Sequence, residues 1–191
     1  VGGDLRAEYN DIARLSGLAG RDLSGALSAR LGGTWGPERN RFDITARLDG
    51  RDLGLDQPQA DALLSGESKI TLDMGGADGQ ITLRAFRAQA QSLTADASGR
   101  ISTSGLDLSG RLDFADLSAL GAQYGGRLLA DIGVTGPLEK AAVELTATAS
   151  DLALGQPDLD RALRGDTRLS LSGERDGAAR SGEGCRGCEP Q

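Results

Sequence analysis

The feature that most constrains this chain is the strict alternation of apolar and polar residues, repeated in segment after segment. "RFDITARL" (41–48) sets Phe42, Ile44, Ala46 and Leu48 against Arg41, Asp43, Thr45 and Arg47. "VELTATA" (143–149) sets Val143, Leu145, Ala147 and Ala149 against Glu144, Thr146 and Thr148. The same period runs through "KITLDM" (69–74, with Ile70 and Leu72) and "QITLRAF" (80–86, with Ile81 and Leu83). It continues in "LTADA" (93–97), "LDLSGRLDF" (106–114, with Leu106, Leu108 and Leu112) and "TRLSL" (167–171, with Leu169 and Leu171). Successive side chains of a strand point to opposite faces, so a period of two predicts strands with one apolar and one polar face. Clusters such as "GGADG" (75–79), "SGR" (98–100) and "TSG" (103–105) are expected to separate them. The expected class is all-β, built from short antiparallel or mixed strands with tight connections. Asp78-Gly79 is the expected two-residue hairpin turn.

Two kinds of segment interrupt the alternation with helical spacing. "QPQADALLSG" (57–66) and "QPDLDRALRG" (156–165) place Pro in a first helical turn and Gly just past the end. Ala60, Leu63 and Leu64 form a small apolar face in the first; Leu159, Ala162 and Leu163 form it in the second. "ARLSGLAG" (13–20) and "ADLSALGA" (115–122) are the other pair. One or two turns of helix are unstable alone, so each must lean on an apolar surface.

These pairs belong to a longer repeat. "LSGLAGRDLSGALSARL", Gly-Pro, "RFDITARL", "DLGL", the Gln-Pro helix and "KITL" follow one another in the first half of the chain. "LSALGAQYGGRLLADI", Gly-Pro, "AVELTATA", "DLAL", the Gln-Pro helix and "RLSL" follow in the second. The two units span about 15–72 and 117–171. Long-period repetition of short strands predicts an elongated, solenoid-like stack in which each unit covers its neighbour's edge.

The ordered unit "DLSALGAQYGGRLLADIGVTGPLEKAAVELTATASDLALGQPDLDRALRGDTRLSLSG" resembles the repeat of TamB-like translocation and assembly module proteins, of the AsmA-like, bridge-like lipid transfer group. The resemblance covers about residues 12–179. It implies a U-shaped β-taco in the periplasm, anchored in the inner membrane by a helix outside this chain. It implies a role in outer-membrane protein assembly and phospholipid transport, with a BamA-like outer-membrane partner engaged by other parts of the parent protein. Residues 1–179 would then be an internal segment. Phe42, Ile44, Leu48, Ile70, Leu72, Ile81, Leu83, Leu106, Leu108, Leu112, Val143, Leu145, Leu169 and Leu171 would line a hydrophobic groove for phospholipid acyl chains. Each buried methylene would contribute about 0.8 kcal/mol. Alternation is the same in an open groove and in a closed, dry sandwich core; the resemblance favours the groove. The second reading is an adhesin-like or structural β-solenoid without a transport role. A carbohydrate-active β-solenoid lacks its aromatic and carboxylate cluster here.

Composition narrows the chemistry. The net charge is −7 with Arg and Asp interspersed, so no concentrated basic patch for nucleic acid is expected. Aromatic residues make up only 3%, which leaves burial to Leu, Ala, Ile and Val. There is no run of about 18 apolar residues that would cross a membrane as a helix. With no His and two Cys, no metal, cofactor or catalytic activity is expected. Cys185 and Cys188 have CxxC spacing, yet no second ligand pair accompanies them. The tail at 180–191 lacks alternation and reads as a frameshifted or artificial end. Trp35 and Tyr124 are expected to pack locally near turns.

Overall fold

A computed structural model describes residues 1–137 and 140–176. Ten strands form one open sheet in sequence order: β1 (Gly2–Tyr9), β2 (Ser24–Gly36), β3 (Arg41–Gly54), β4 (Glu67–Ala77) and β5 (Gln80–Gln89). They continue with β6 (Leu93–Ser102), β7 (Gly105–Phe114), β8 (Tyr124–Gly136), β9 (Lys140–Leu154) and β10 (Asp166–Asp176). Every neighbouring pair is antiparallel, so the sheet is an up-and-down meander. The described residues are all-β, with helices no longer than seven residues: α1 (Ser16–Ala19), α2 (Pro58–Leu64) and α3 (Pro157–Ala162).

Because each strand reverses the last, alternate connections fall at the same end of the sheet. All three helices lie at one end, with the 3-10 turns Ile12–Leu15 and Leu117–Leu120. The other end has the 3-10 turn Pro37–Arg39 and tight hairpins. One of those hairpins is Asp78-Gly79, with φ of 51° and 78°. Two consecutive positive φ values give the turn whose twist matches antiparallel strands, as expected for Asp-Gly. The helical end also holds the most buried large apolar side chains, Ile12 at 4% and Leu117 at 6% exposure. Asp11 and Asp116 start the two 3-10 turns alike, accepting from the N–H of Ala13 (2.9 Å) and Ser118 (2.8 Å). Helix α2 lies against β3 and against the Leu117–Leu120 turn, where Leu63 and Leu64 are half-buried.

The two halves use the same backbone devices. Asp61 caps the entry to α2 by accepting from the Leu55 N–H at 2.6 Å; Asp160 accepts from the Leu154 N–H at 2.7 Å ahead of α3. The pairing of β2 with β3 shifts register between Ser24 and Ala26, and that of β8 with β9 between Gly125 and Arg127. At the second shift Gly126 has φ 90°, and a Cβ there would lie 2.5 Å from the carbonyls of Ser150 and Asp151. Only glycine fits such a bulge.

The strands run longer than their sequence punctuation suggests. Ser98-Gly99-Arg100, read above as a separator, lies inside β6, with Ser98 opposite Ser109 and Gly99 opposite Leu108. The Asp107 carbonyl and Leu108 of the neighbouring strand take the space that a Cβ on Gly99 would need, so this glycine serves close backbone approach rather than a turn. Gly75 and Gly76 likewise belong to β4. Strands of 8 to 15 residues replace the short ones expected.

Candidate functional site

Cross-strand partners share a face, so register defines the surface. One row crosses all ten strands: Leu5, Leu31, Ala46, Leu72, Phe86, Ala97, Gly110, Ile132, Leu145, Leu171. The adjacent row reads Ala7, Ala29, Leu48, Ile70, Ala88, Ala95, Leu112, Ala130, Ala147, Leu169. Neither contains a charged residue. At about 4.8 Å per strand, each stripe extends some 43 Å across the sheet.

All fourteen residues named as groove-lining from the sequence lie on this face. Leu48, Ile70, Leu112 and Leu169 are in one row; Leu72, Leu145 and Leu171 are in the other. Ile44, Leu83, Leu108 and Val143 belong to a third row, in which Met74 and Val134 also stand. Phe42, Ile81 and Leu106 lie in a fourth, beside Trp35 and Ile101. The fourteen include none from β1, β2, β6 or β8. The alternation of β2 and β8 was legible in "LSARLGGTW" and "LLADIGV", where Leu27, Ala29, Leu31, Gly33 and Trp35, then Leu128, Ala130, Ile132 and Val134, keep a period of two.

The face is open to solvent. No large side chain among the described residues is fully buried. Even on interior strands Leu31 is 45%, Ile132 41% and Val143 40% exposed. A sandwich core would bury such residues between two layers; here a single sheet presents them.

The opposite face is charged and largely self-neutralised. Arg87 meets Asp96 at 3.2 Å and Arg111 meets Asp131 at 2.7 Å along one cross-strand row. Arg84, the extra residue at the β4–β5 register shift, reaches Asp73 at 2.6 Å and Asp43 at 2.9 Å. Arg127 reaches Asp113 at 2.7 Å. These carboxylates accept hydrogen bonds from the guanidinium groups and hold the pKa values of Arg84, Arg111 and Arg127 above the usual arginine value. Such exposed pairs add little stability each, but they fix which face is wet. Two concavities, of about 460 and 550 Å³, draw most of their lining from this face, between β1 and β5.

Among the described residues, no cluster of three or more His, Cys, Asp or Glu is placed to hold a metal ion. None of the described helices is long and apolar enough to cross a membrane. Cys185, Cys188 and the rest of the 180–191 tail lie outside the described residues, as do the side chains of Leu159 and Ala162. Trp35 and Tyr124 sit at strand ends, opposite Phe42 and Leu154. In comparisons with known proteins, no family model matches the chain, and neither a curated protein nor a solved structure matches it.

Proposed function

We propose that the apolar face is the working surface of this chain, a track for phospholipid acyl chains in a segment of a TamB-like periplasmic bridge between inner and outer membranes. On this reading the parent protein serves outer-membrane protein assembly and phospholipid transport. Its membrane anchor and its contact with a BamA-like partner lie in other parts of the parent. The observation that carries the proposal is the pair of uncharged rows running unbroken from β1 to β10 while remaining partly exposed. A face of that size is costly to leave in water unless something apolar uses it. Transfer along it needs no reacting group, only repeated weak sites at which each covered methylene contributes about 0.8 kcal/mol.

Photoreactive residues test the reading directly. Placed at Ile44 and Leu145 in the folded chain, they are expected to capture phospholipid; placed at Thr45 and Thr146 on the opposite face, they are not. Failure to capture lipid at either apolar position would sink the proposal.

A further inference from the structure

One cross-strand row of the charged face changes character along its length. From β5 to β8 it alternates in sign, Arg87, Asp96, Arg111, Asp131. From β1 to β3 it reads Arg6, Arg30, Arg47, three arginines in direct register on successive strands. Like charges directly opposite one another work against strand pairing. Glu8 neutralises Arg6 at 2.8 Å, but Arg30 and Arg47 have no ion pair among the described residues. In a chain of net charge −7, these two unpaired guanidiniums stand side by side in direct register, where a bound anion would supply the counter-charge. The three arginines line the concavity of about 550 Å³, whose lining also includes Gly32 and the hydroxyl-bearing Thr45 and Thr71.

We propose that this concavity binds a phosphate-bearing ligand, its phosphoryl group seated on Arg30 and Arg47. A phosphate monoester carries about −1.5 to −2 charges near neutral pH, which matches the two unpaired guanidiniums. Planar guanidinium forks donate two parallel hydrogen bonds to phosphate oxygens, and the two arginines rise side by side from neighbouring strands about 4.8 Å apart. The carboxylates around the site are mostly occupied: Asp73 by Arg84 at 2.6 Å, Glu8 by Arg6, and Asp49 by Lys69 at 3.8 Å. Asp4 is the exception. Its Oδ1 lies over Gly32, 2.9 Å from where a Cβ would stand, on the rim of the concavity. The arginines stand on the face opposite the apolar rows, although Leu5, Leu31, Ala46 and Leu72 of those rows also border the concavity; phosphate binding is read separately from lipid capture.

The test titrates the full chain at low ionic strength with inorganic phosphate, and separately with vesicles of phosphatidic acid or of phosphatidylcholine. The variants are Arg30→Gln/Arg47→Gln, the charge-matched control Arg111→Gln/Arg127→Gln, and Asp4→Asn. Binding is expected to weaken at least tenfold in the first, stay within about twofold in the second, and tighten in the third. Saturable binding of inorganic phosphate identifies a free phosphoryl compound as ligand; binding to phosphatidic acid vesicles alone identifies a lipid headgroup. Removing the facing like charges is also expected to leave the thermal midpoint at or above wild type. No binding of either probe, an equal loss in the control variant, or a lowered midpoint in Arg30→Gln/Arg47→Gln would overturn the proposal.

Discussion

Asp52 and Gly66 hold each other through two hydrogen bonds across the mouth of α2. The Asp52 N–H donates to the Gly66 carbonyl at 2.8 Å, and the Gly66 N–H donates to Asp52 Oδ1 at 2.8 Å. Asp151 and Gly165 make the same two bonds at 3.0 and 3.1 Å. Asp52 and Asp151 also share a left-handed backbone, with φ of 49° and 50°. Each pair closes the loop through which a strand leaves the sheet, forms a short helix and returns.

The Asp52 clasp makes the first prediction. Alanine at this position loses the carboxylate acceptor, a contribution of about 1 kcal/mol, and tolerates the left-handed conformation poorly. Asp52→Ala is expected to lower stability by about 1–2 kcal/mol in urea denaturation of the full chain. Asn both accepts a hydrogen bond and adopts this conformation readily, so Asp52→Asn should retain most of the stability. Equal losses in the two variants would show that the clasp is not what holds the loop.

Much of this architecture was legible in the sequence, and the reason is local. The period of two is set by strand geometry alone, so Ile44, Leu72, Leu108 and Leu145 could be assigned to a face without knowing any partner strand. The Asp52–Gly66 and Asp151–Gly165 clasps lay within a repeat visible as spacing. The charged face was a different matter. Arg6, Arg30 and Arg47 stand side by side only because β1, β2 and β3 pair in one register, across a connection that holds α1 and a 3-10 turn. Register is a property of pairs of strands, and alternation within one strand does not encode it. A glycine misled for a related reason. Gly99 reads as a break, yet it lies inside β6 opposite Leu108, where the partner strand's backbone at Asp107 and Leu108 comes too close for a Cβ.

A pH-dependent prediction comes from the second 3-10 turn. The Asp116 carboxylate accepts from the Ser118 hydroxyl and from the Ser118 backbone N–H, at 2.8 Å for the latter, and these bonds hold its pKa below the usual aspartate value. A carboxyl depressed in the folded state stabilises it above the unfolded pKa of about 3.9, and that contribution is lost as pH falls through the lower folded value. A carboxyl-carbon NMR titration is expected to place the Asp116 midpoint below about 3.9. Ser118→Ala removes the larger of the two causes and should bring it upward. A midpoint at or above the ordinary value in the unmodified chain would mean that the cap does not form in solution.

The last prediction separates the use of the apolar face from its part in folding. Ile132 stands eighth in the ten-strand row, between Gly110 and Leu145, yet is 41% exposed. A carboxylate placed there can keep contact with water, so Ile132→Asp should cost only about 1 kcal/mol of stability, the centre of the range for single substitutions. It would nevertheless set a charge in a stripe that otherwise has none, and an apolar ligand lying along the row would have to desolvate it. Binding of an environment-sensitive hydrophobic dye, and capture of phospholipid at the neighbouring Leu145 position, are therefore expected to fall several-fold. Thr135, on the charged face of the same strand, provides the comparison: Thr135→Asp adds the same charge and should leave both readouts unchanged. If Ile132→Asp left dye binding intact, or if the two variants lowered it equally, the apolar rows would not be the surface that the ligand uses.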